Sequence, residues 1–200
     1  MPKHLLKAAL TASLVVFSAS SAMADKLSLN AISNYLNGIK TAESPFTQIN
    51  ADGTISTGTI SLSRPGRARF DYNPPEKALV MANNGTVVIL DRKINGTAET
   101  YPLNQTPLSI ILAANVNLAQ ANMVTAHGYD GTATIVTAQD PRNPEYGSIQ
   151  LKFTDSPTEL RQWIITDSGG SQTTVILGGL EKKSLSRSLF NIRDEIDKLN

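Results

Sequence analysis

The hydrophobic pattern changes its period along the chain, and each change marks a predicted element. Near the N-terminus, four apolar residues recur at the spacing of one helix face: Leu29, Ile32, Leu36 and Ile39. Ser28 or Asp25 is a candidate cap for this helix, and Gly38 weakens its C-terminal end. This pattern predicts one N-terminal helix that packs on a sheet.

Apolar and polar residues alternate on both sides of a turn between Gly58 and Pro75, in the sequence GTISLSRPGRARFDYNPP. Such alternation is the period of a strand with one buried face. One face of the first run carries Ile60, Leu62 and Arg64, and one face of the second carries Ala68, Phe70 and Tyr72. The pattern predicts a β-hairpin with Arg64 on its apolar face at the bend. The residue type alone favours a cation that points to solvent, because unpaired arginine is almost never buried.

Further strand-length runs lie on both sides of an interruption at residues 106–122. Ala78–Met81 and Thr86–Asp91 flank an Asn-Asn-Gly turn, and Glu99–Pro102 is a short strand. After the interruption, turns separate five runs: Met123–Tyr129, Thr132–Ala138, Ser148–Thr154, Leu160–Thr166 and Thr173–Leu177. About ten strands joined by short turns predict a mainly β (α+β) fold, a curled antiparallel sheet that forms an incomplete, half-open barrel with helices across its mouth.

The interruption itself has helical signals. Thr106 is a candidate cap and Pro107 fits the first helical position. An apolar stripe follows at Leu108, Ile111, Leu112 and Val116. Asn-rich polar sequence on both sides favours a surface helix over a central one. Another helix is predicted near the C-terminus, at Asp194–Leu199.

The first 24 residues have the features of a secretory signal peptide. Lys3 and Lys7 form a basic region, Ala8–Phe17 is apolar, and Ala22-Met23-Ala24 is a cleavage site before Asp25. About ten apolar residues are too few to span a bilayer, which needs about 20. We therefore expect residues 1–24 to be cleaved, and residues 25–200 to form a single domain in soluble form in the periplasm.

The amino-acid composition excludes several kinds of site and partner. The chain has 200 residues, a formal net charge of +1 and no cysteine. The absence of cysteine excludes disulfides, thiolate metal sites and a lipid anchor on the protein itself. No polybasic run is present, so nucleic acid is not an expected partner, and neither a metal nor a cofactor is expected.

Catalytic signals are few. His127 is the only histidine after residue 24, and the sequence contains no G-x-S-x-G elbow, P-loop or dinucleotide fingerprint. A lone histidine is usually structural. A pair of carboxylates of the glycosidase type remains open, so a periplasmic enzyme that acts on glycan or lipid is one alternative, which His127→Ala or a single carboxylate variant would test.

Apolar residues are abundant on the predicted strands. Those that would line a concave surface are Ile60, Leu62, Ala68, Phe70, Tyr72, Val88, Leu90, Leu151, Phe153, Trp163 and Ile165. An ordinary packed core is the alternative for each of them taken alone. A curled sheet, a removable helix and an arginine on the apolar face favour a lipid-binding cavity.

Four motifs occur along the chain in this order: RPGRARFDYNPP, the NG hairpin, TPLSIIL and LSRSLF. In this order they resemble the LolA-type periplasmic outer-membrane lipoprotein carrier family. The sequence departs from the family at Phe70, where tryptophan is frequent, and at Ala68, where a bulkier apolar residue is frequent. The resemblance implies an incomplete barrel with a helical lid.

The resemblance also implies roles for particular residues. Arg64 would hold the lid shut through hydrogen bonds to backbone carbonyls of the lid segment, which comprises Thr106, Pro107, Leu108, Ile111 and Leu112. The cargo would be the acyl chains of lipoproteins, received from an inner-membrane ABC-type transporter and passed to an outer-membrane receptor. The carrier would be a monomer that needs no cofactor and catalyses no reaction. Two alternatives of the same fold are a lipid-sensing or lipoprotein-sensing regulator and a plain structural β module.

Overall fold

The computed structural model describes residues 25–93, 98–120 and 122–199. The predicted signal peptide, residues 1–24, lies outside the described residues. Within the described ranges, every helix is too short or too polar to cross a membrane.

A single antiparallel sheet organises the fold. Its strands are β1 Thr41–Ile49, β2 Ile55–Ser63, β3 Arg67–Tyr72, β4 Ala78–Asn83, β5 Thr86–Asp91, β6 Ala98–Pro102, β7 Val124–Tyr129, β8 Thr134–Gln139, β9 Ser148–Thr154, β10 Glu159–Thr166, β11 Gln172–Leu177 and β12 Glu181–Lys182. They follow the order β6-β5-β4-β3-β2-β1-β11-β10-β9-β8-β7, with β12 beside β1. The edge strands β6 and β7 do not pair with one another in the described part of the chain, so the sheet is curled and unclosed. This confirms the predicted fold class.

The N-terminal helix, α1 Leu29–Gly38, begins where its cap was expected. The Ser28 hydroxyl accepts a hydrogen bond from the Ala31 amide at 3.1 Å, which satisfies one of the free donors of the first turn. The helix ends at Gly38 and leads directly into β1. Its buried residues, Ile32 and Leu36, come from the predicted apolar stripe.

The helix of the interruption, α2 Leu108–Leu112, has only five residues and follows a 3₁₀ turn at Leu103–Gln105. The prediction that the helical stripe reaches Val116 is wrong, because the chain leaves the helix after Leu112. Thr106 does not cap this helix, since its hydroxyl donates to the Leu103 carbonyl at 2.8 Å. The expected surface position is also wrong, because the helix buries every residue except Ser109.

The sheet has two differently covered faces. The concave face carries the main core, and α1 and α2 pack against it. Ala42, Leu62, Ala68 and Ala82 lie in one register row across β1 to β4 on this face. The convex face of β4 and β5 carries a second apolar cluster, Leu79, Met81, Val88 and Leu90. The C-terminal helix, α3 Ile192–Asp197, covers that cluster.

Candidate functional site

Arg64 lies at the end of β2, on the concave side of the hairpin bend. Its backbone amide donates to the Lys40 carbonyl at 2.8 Å, which holds the bend against the start of β1. The turn continues through Gly66, whose φ of +73° is a left-handed conformation that glycine adopts without strain. The Gly66 amide donates to the Leu112 carbonyl at 2.9 Å. The hairpin bend therefore contacts the C-terminal end of α2 through its backbone.

The Arg64 guanidinium joins two elements that are distant in sequence. Nη1 donates to the Leu36 carbonyl at the end of α1, and Nη2 donates to the Ala113 carbonyl at 2.6 Å. Nη2 also lies 3.4 Å from Oδ1 of Asn37. The side chain is buried, with 9% exposed, and burial lowers the guanidinium pKa from its ordinary value. Arginine stays charged at neutral pH because that ordinary value is above 12.

This inward cation is incompletely satisfied. Nε of Arg64 is buried and has no hydrogen-bond partner among the described residues. A buried donor without a partner has a desolvation cost of about 1–3 kcal/mol. The net contribution of Arg64 to stability is therefore smaller than its two carbonyl bonds suggest.

Residues 113–118, called the strap here, connect α2 to the region before β7. The Asn37 side chain makes two hydrogen bonds to the backbone of Val116 in the strap. Nδ2 donates to the Val116 carbonyl at 2.8 Å, and Oδ1 accepts from the Val116 amide at 2.9 Å. The Ser33 hydroxyl accepts from the Leu118 amide at 3.0 Å. Asn37 and Ser33 thus satisfy backbone amide and carbonyl groups that would form intrahelical hydrogen bonds if α2 were longer. The last turns of α1 and the hairpin bend thus hold the strap together.

The α2 residues of the lid segment pack into the main core on the concave face of the sheet. Leu108, Ile110, Ile111 and Leu112 are each at most 7% exposed and belong to the main core. Ile110 was not predicted to be buried, because it lies outside the helical stripe of Leu108, Ile111 and Leu112. A five-residue helix that contacts the sheet on one side and the strap on the other buries almost its whole circumference. Thr106 and Pro107 belong to the turn that leads into this helix.

An aromatic group, called the aromatic floor here, lies in the same main core as α2 and consists of Phe46, Phe70, Tyr72 and Trp163. The Phe46 ring meets Phe70 at 5.7 Å and Tyr72 at 5.1 Å between centroids, and Phe70 meets Trp163 at 6.3 Å. All three contacts are edge-to-face, the arrangement that aromatic pairs favour. Phe46 lies in β1 and was not among the predicted cavity residues, although its aromatic side chain is a signal for a buried strand position.

The structure divides the predicted cavity residues between the two faces. The main core and the residues packed against it include Ile60, Leu62, Ala68, Phe70, Tyr72, Leu151, Phe153, Trp163 and Ile165. Val88 and Leu90 must be reassigned, because they lie in the second cluster on the convex face, under α3. The central positions of β5 are all apolar, so the alternation does not choose a face. The pairing of Met81 with Val88 and of Leu79 with Leu90 decides it.

Two open grooves flank this packed face. The first, about 470 Å³, lies beside the lid between Ile110, Val116, Met123 and the turn at Asp140–Arg142. The second, about 610 Å³, lies at the opposite end of the hairpins, near Gln48, Tyr72 and Ile89.

His127 makes a contact between two segments of the fold. Nε2 of His127 lies 2.8 Å from the Leu27 carbonyl and ties β7 to the segment before α1. Within residues 25–93, 98–120 and 122–199, no three or more acidic, histidine or cysteine side chains come together as a potential metal site.

The family model for the outer membrane lipoprotein carrier protein LolA matches residues 37–193, which is more than half of the chain. The chain belongs to the LolA family. The LolA match begins at Asn37 near the end of α1 and includes Arg64, α2 and the strap. The resemblance inferred from the four motifs is therefore confirmed.

Individual relatives in the LolA family have modest identity over most of their length. The outer-membrane lipoprotein carrier protein of Azotobacter vinelandii is 24% identical over 191 residues, covering 90% of this chain and 91% of that protein. The corresponding protein of Cupriavidus taiwanensis is 25% identical over 184 residues, covering 86% and 85%. A solved LolA superfamily structure from Nitrosomonas europaea has a TM-score of 0.44 and 9% identity, covering 84% of this chain and 99% of that one.

Proposed function

We propose that this protein is a periplasmic carrier that binds the acyl chains of lipoproteins released from the inner membrane and delivers them to an outer-membrane receptor. The observation that carries the proposal is the pair of bonds from Arg64 to the Leu36 and Ala113 carbonyls above an apolar face. The names of its relatives, which describe outer-membrane lipoprotein carriers, agree with this proposal. The function is binding and release, without catalysis.

Acyl chains would take the place of the lid side chains. Each buried apolar side chain of α2 contributes about 1.5–3 kcal/mol, and each buried CH₂ of an acyl chain about 0.8 kcal/mol. Long acyl chains can thus outweigh the packing of Leu108, Ile110, Ile111 and Leu112 on the aromatic floor. The lid then moves outward, and the cargo occupies the concave face.

Arg64 biases this equilibrium towards the closed, empty form. Its bond to the Ala113 carbonyl exists only while the strap lies beside the hairpin bend, whereas its bond to the Leu36 carbonyl joins the bend to α1. A ligand that opens the lid breaks the Ala113 bond, so its apparent affinity falls by the free energy of that bond. Without such an opposing term, several long chains would be held almost irreversibly in water. Loading therefore needs work from an upstream ABC-type transporter, and release to a receptor is downhill.

The signal-peptide pattern in residues 1–24 supports a periplasmic location for this carrier. Cleavage of residues 1–24 would leave residues 25–200 as a single, monomeric domain in the periplasm, where it would shuttle between the two membranes. Its partners would be acylated lipoproteins, the transporter and the receptor.

The experiment compares Arg64→Leu with Arg67→Leu. Arg67 lies in the same bend, but its guanidinium bonds only the Ser63 hydroxyl, at 3.0 and 3.2 Å, among the contacts described for it. Each full chain is expressed in a Gram-negative host, purified gently from the periplasm and analysed by intact-complex mass spectrometry. We expect triacylated lipoprotein on the protein, enriched on Arg64→Leu and at the parent level on Arg67→Leu. Lipid-free protein in all three preparations would overturn the carrier function.

A further inference from the structure

The second groove continues the concave face beyond the aromatic floor, at the end of the hairpins that α1 and α2 leave open. One wall is apolar and consists of Ala78, Val80 and Ile89. The opposite wall is polar and consists of Gln48, Asn50, Thr54 and Ser56, with Tyr72 between the walls. Its volume of about 610 Å³ is within the 300–1,000 Å³ typical of ligand sites.

The polar wall is a connected chain of side chains. The Tyr72 hydroxyl donates to Oε1 of Gln48 at 2.7 Å, and Nε2 of Gln48 donates to Oδ1 of Asn50 at 2.6 Å. Nδ2 of Asn50 then donates to the Ser56 hydroxyl at 3.1 Å. Burial raises the pKa of Tyr72 to about 12, so its hydroxyl keeps the proton that it donates. Both N–H groups of Asn50 are used, because Nδ2 also donates to the Thr54 hydroxyl at 2.9 Å. Among the described contacts Gln48 uses one N–H and one lone pair, so its amide keeps a donor and a lone pair for a ligand.

The charged residues at the rim of the second groove disfavour the binding of anions. Asp52 stays ionised at neutral pH, because hydrogen bonds from the Thr54 side chain and backbone lower its pKa. Glu76, also at the rim, is paired with Lys93 at 3.3 Å. None of the described residues that line the groove is a cation. A phosphate would therefore find no cation in the lining, and the Lys93 ammonium beside the groove is already paired with Glu76, whereas neutral esters and amides would find hydrogen bonds.

The groove is continuous with the face that would hold acyl chains. Phe46 touches both Tyr72, which lines the groove, and Phe70, which belongs to the same main core as α2. We propose that this groove binds the neutral glyceryl-cysteine part of a lipoprotein, whose esters and amide lie at the root of its acyl chains, and so distinguishes that cargo from anionic phospholipids. The inference rests on the carrier function proposed above.

The test uses three probes with the same C16 chains: a tripalmitoyl-cysteinyl peptide, dipalmitoyl phosphatidylglycerol and 1-hexadecanol. Binding is followed through the fluorescence of Trp163, the only tryptophan, which lies in the main core beside Phe70. We expect the parent protein to prefer the peptide over the phospholipid. Gln48→Leu and Tyr72→Phe should each weaken peptide binding about five- to tenfold, the effect of one or two lost hydrogen bonds, and leave hexadecanol binding within about twofold.

Gln150→Leu is the matched control. Gln150 lies on β9 next to Ile149, so its side chain is on the opposite sheet face and its substitution should leave all three affinities unchanged. Ala51→Lys adds a cation to the rim and should raise phosphatidylglycerol affinity several-fold. If Gln48→Leu and Tyr72→Phe bind the peptide as the parent does, the groove assignment is overturned and the carrier function stands. If the parent binds neither the peptide nor hexadecanol, both proposals fail.

Discussion

Nη2 of Arg64 lies 2.6 Å from the carbonyl oxygen of Ala113, although 49 residues separate the two in sequence. The same guanidinium also donates to the Leu36 carbonyl at the end of α1. One buried cation thus connects the hairpin bend, the N-terminal helix and the strap. Because Ala113 belongs to the strap and Leu36 to α1, displacement of the strap breaks the charge-assisted bond to Ala113 and leaves the bond to Leu36 in place.

Arg64→Leu is expected to loosen the lid locally without unfolding the protein. The amides of Gly66, Val116 and Leu118 donate across the lid contacts, so their hydrogen exchange reports lid opening directly. We expect their exchange to accelerate at least about tenfold, as the loss of about 1.4 kcal/mol of local stability would cause. The global free energy of unfolding should change by less than about 1 kcal/mol, because removal of a buried charge with an unpaired Nε offsets the lost bonds. Unchanged exchange at these amides would contradict the lid role.

Asn37→Ala removes both contacts that hold Val116. The lost pair of hydrogen bonds predicts a decrease of about 1–3 kcal/mol in the free energy of unfolding, measured by urea titration with Trp163 fluorescence. Asn117→Ala is the control, since Asn117 is exposed on the same strap and bonds only to Gln120 among its described contacts. It should cost less than about 0.5 kcal/mol. Equal effects of the two substitutions would show that Asn37 does not hold the strap.

Gly58→Ala should disturb the aromatic floor. A Cβ at this position would lie 2.3 Å from the Asp71 carbonyl oxygen and 2.8 Å from the Phe46 ring. Because the backbone oxygen cannot move freely, we expect a loss of about 2 kcal/mol or more in the free energy of unfolding. Gly128→Ala, in exposed β7, meets no atom within 4 Å and should change stability by less than about 0.5 kcal/mol. A tolerated Gly58→Ala would mean that Phe46 does not lie over this strand.

The contact between α3 and the sheet should weaken in acid. Burial alone raises the pKa of Glu195, but hydrogen bonds from Lys198 and Arg92 and the charge of Arg69 outweigh it and lower the pKa from 4.5 to about 2. The ion pairs to Arg69, Arg92 and Lys198 measure 3.3, 3.0 and 2.7 Å. A lowered pKa in the folded state means that this stabilisation is complete above about pH 4.5 and is lost as the pH falls towards 2.

Glu195→Gln should therefore flatten the dependence of unfolding free energy on pH between 5 and 2. Urea titrations at several pH values measure it, with exposed Glu145→Gln as the control that should keep the parent slope. A parent-like slope in Glu195→Gln would mean that another carboxylate dominates the acid response.

Local signals in the sequence determined most of the sheet. Alternation with turn residues located β5 at Thr86–Asp91 and β9 at Ser148–Thr154, and the structure has the same bounds. The helix cap at Ser28 was equally visible, because capping depends on neighbouring residues only. The row of Ile60, Leu62 and Arg64 followed from the period of a strand, so the cation could be placed on the apolar face before any contact was known.

Tertiary contacts decided the remaining features. The helical stripe ran on to Val116, yet α2 ends at Leu112 because Arg64 and Asn37 bind the next backbone polar groups. Val88 and Leu90 belong to a strand that is apolar on both sides, so only pairing with β4 and coverage by α3 assigned their face. Periodicity in the sequence shows which residues avoid water. The segments that cover those residues are distant in sequence, so only tertiary packing determines which segment covers which residue.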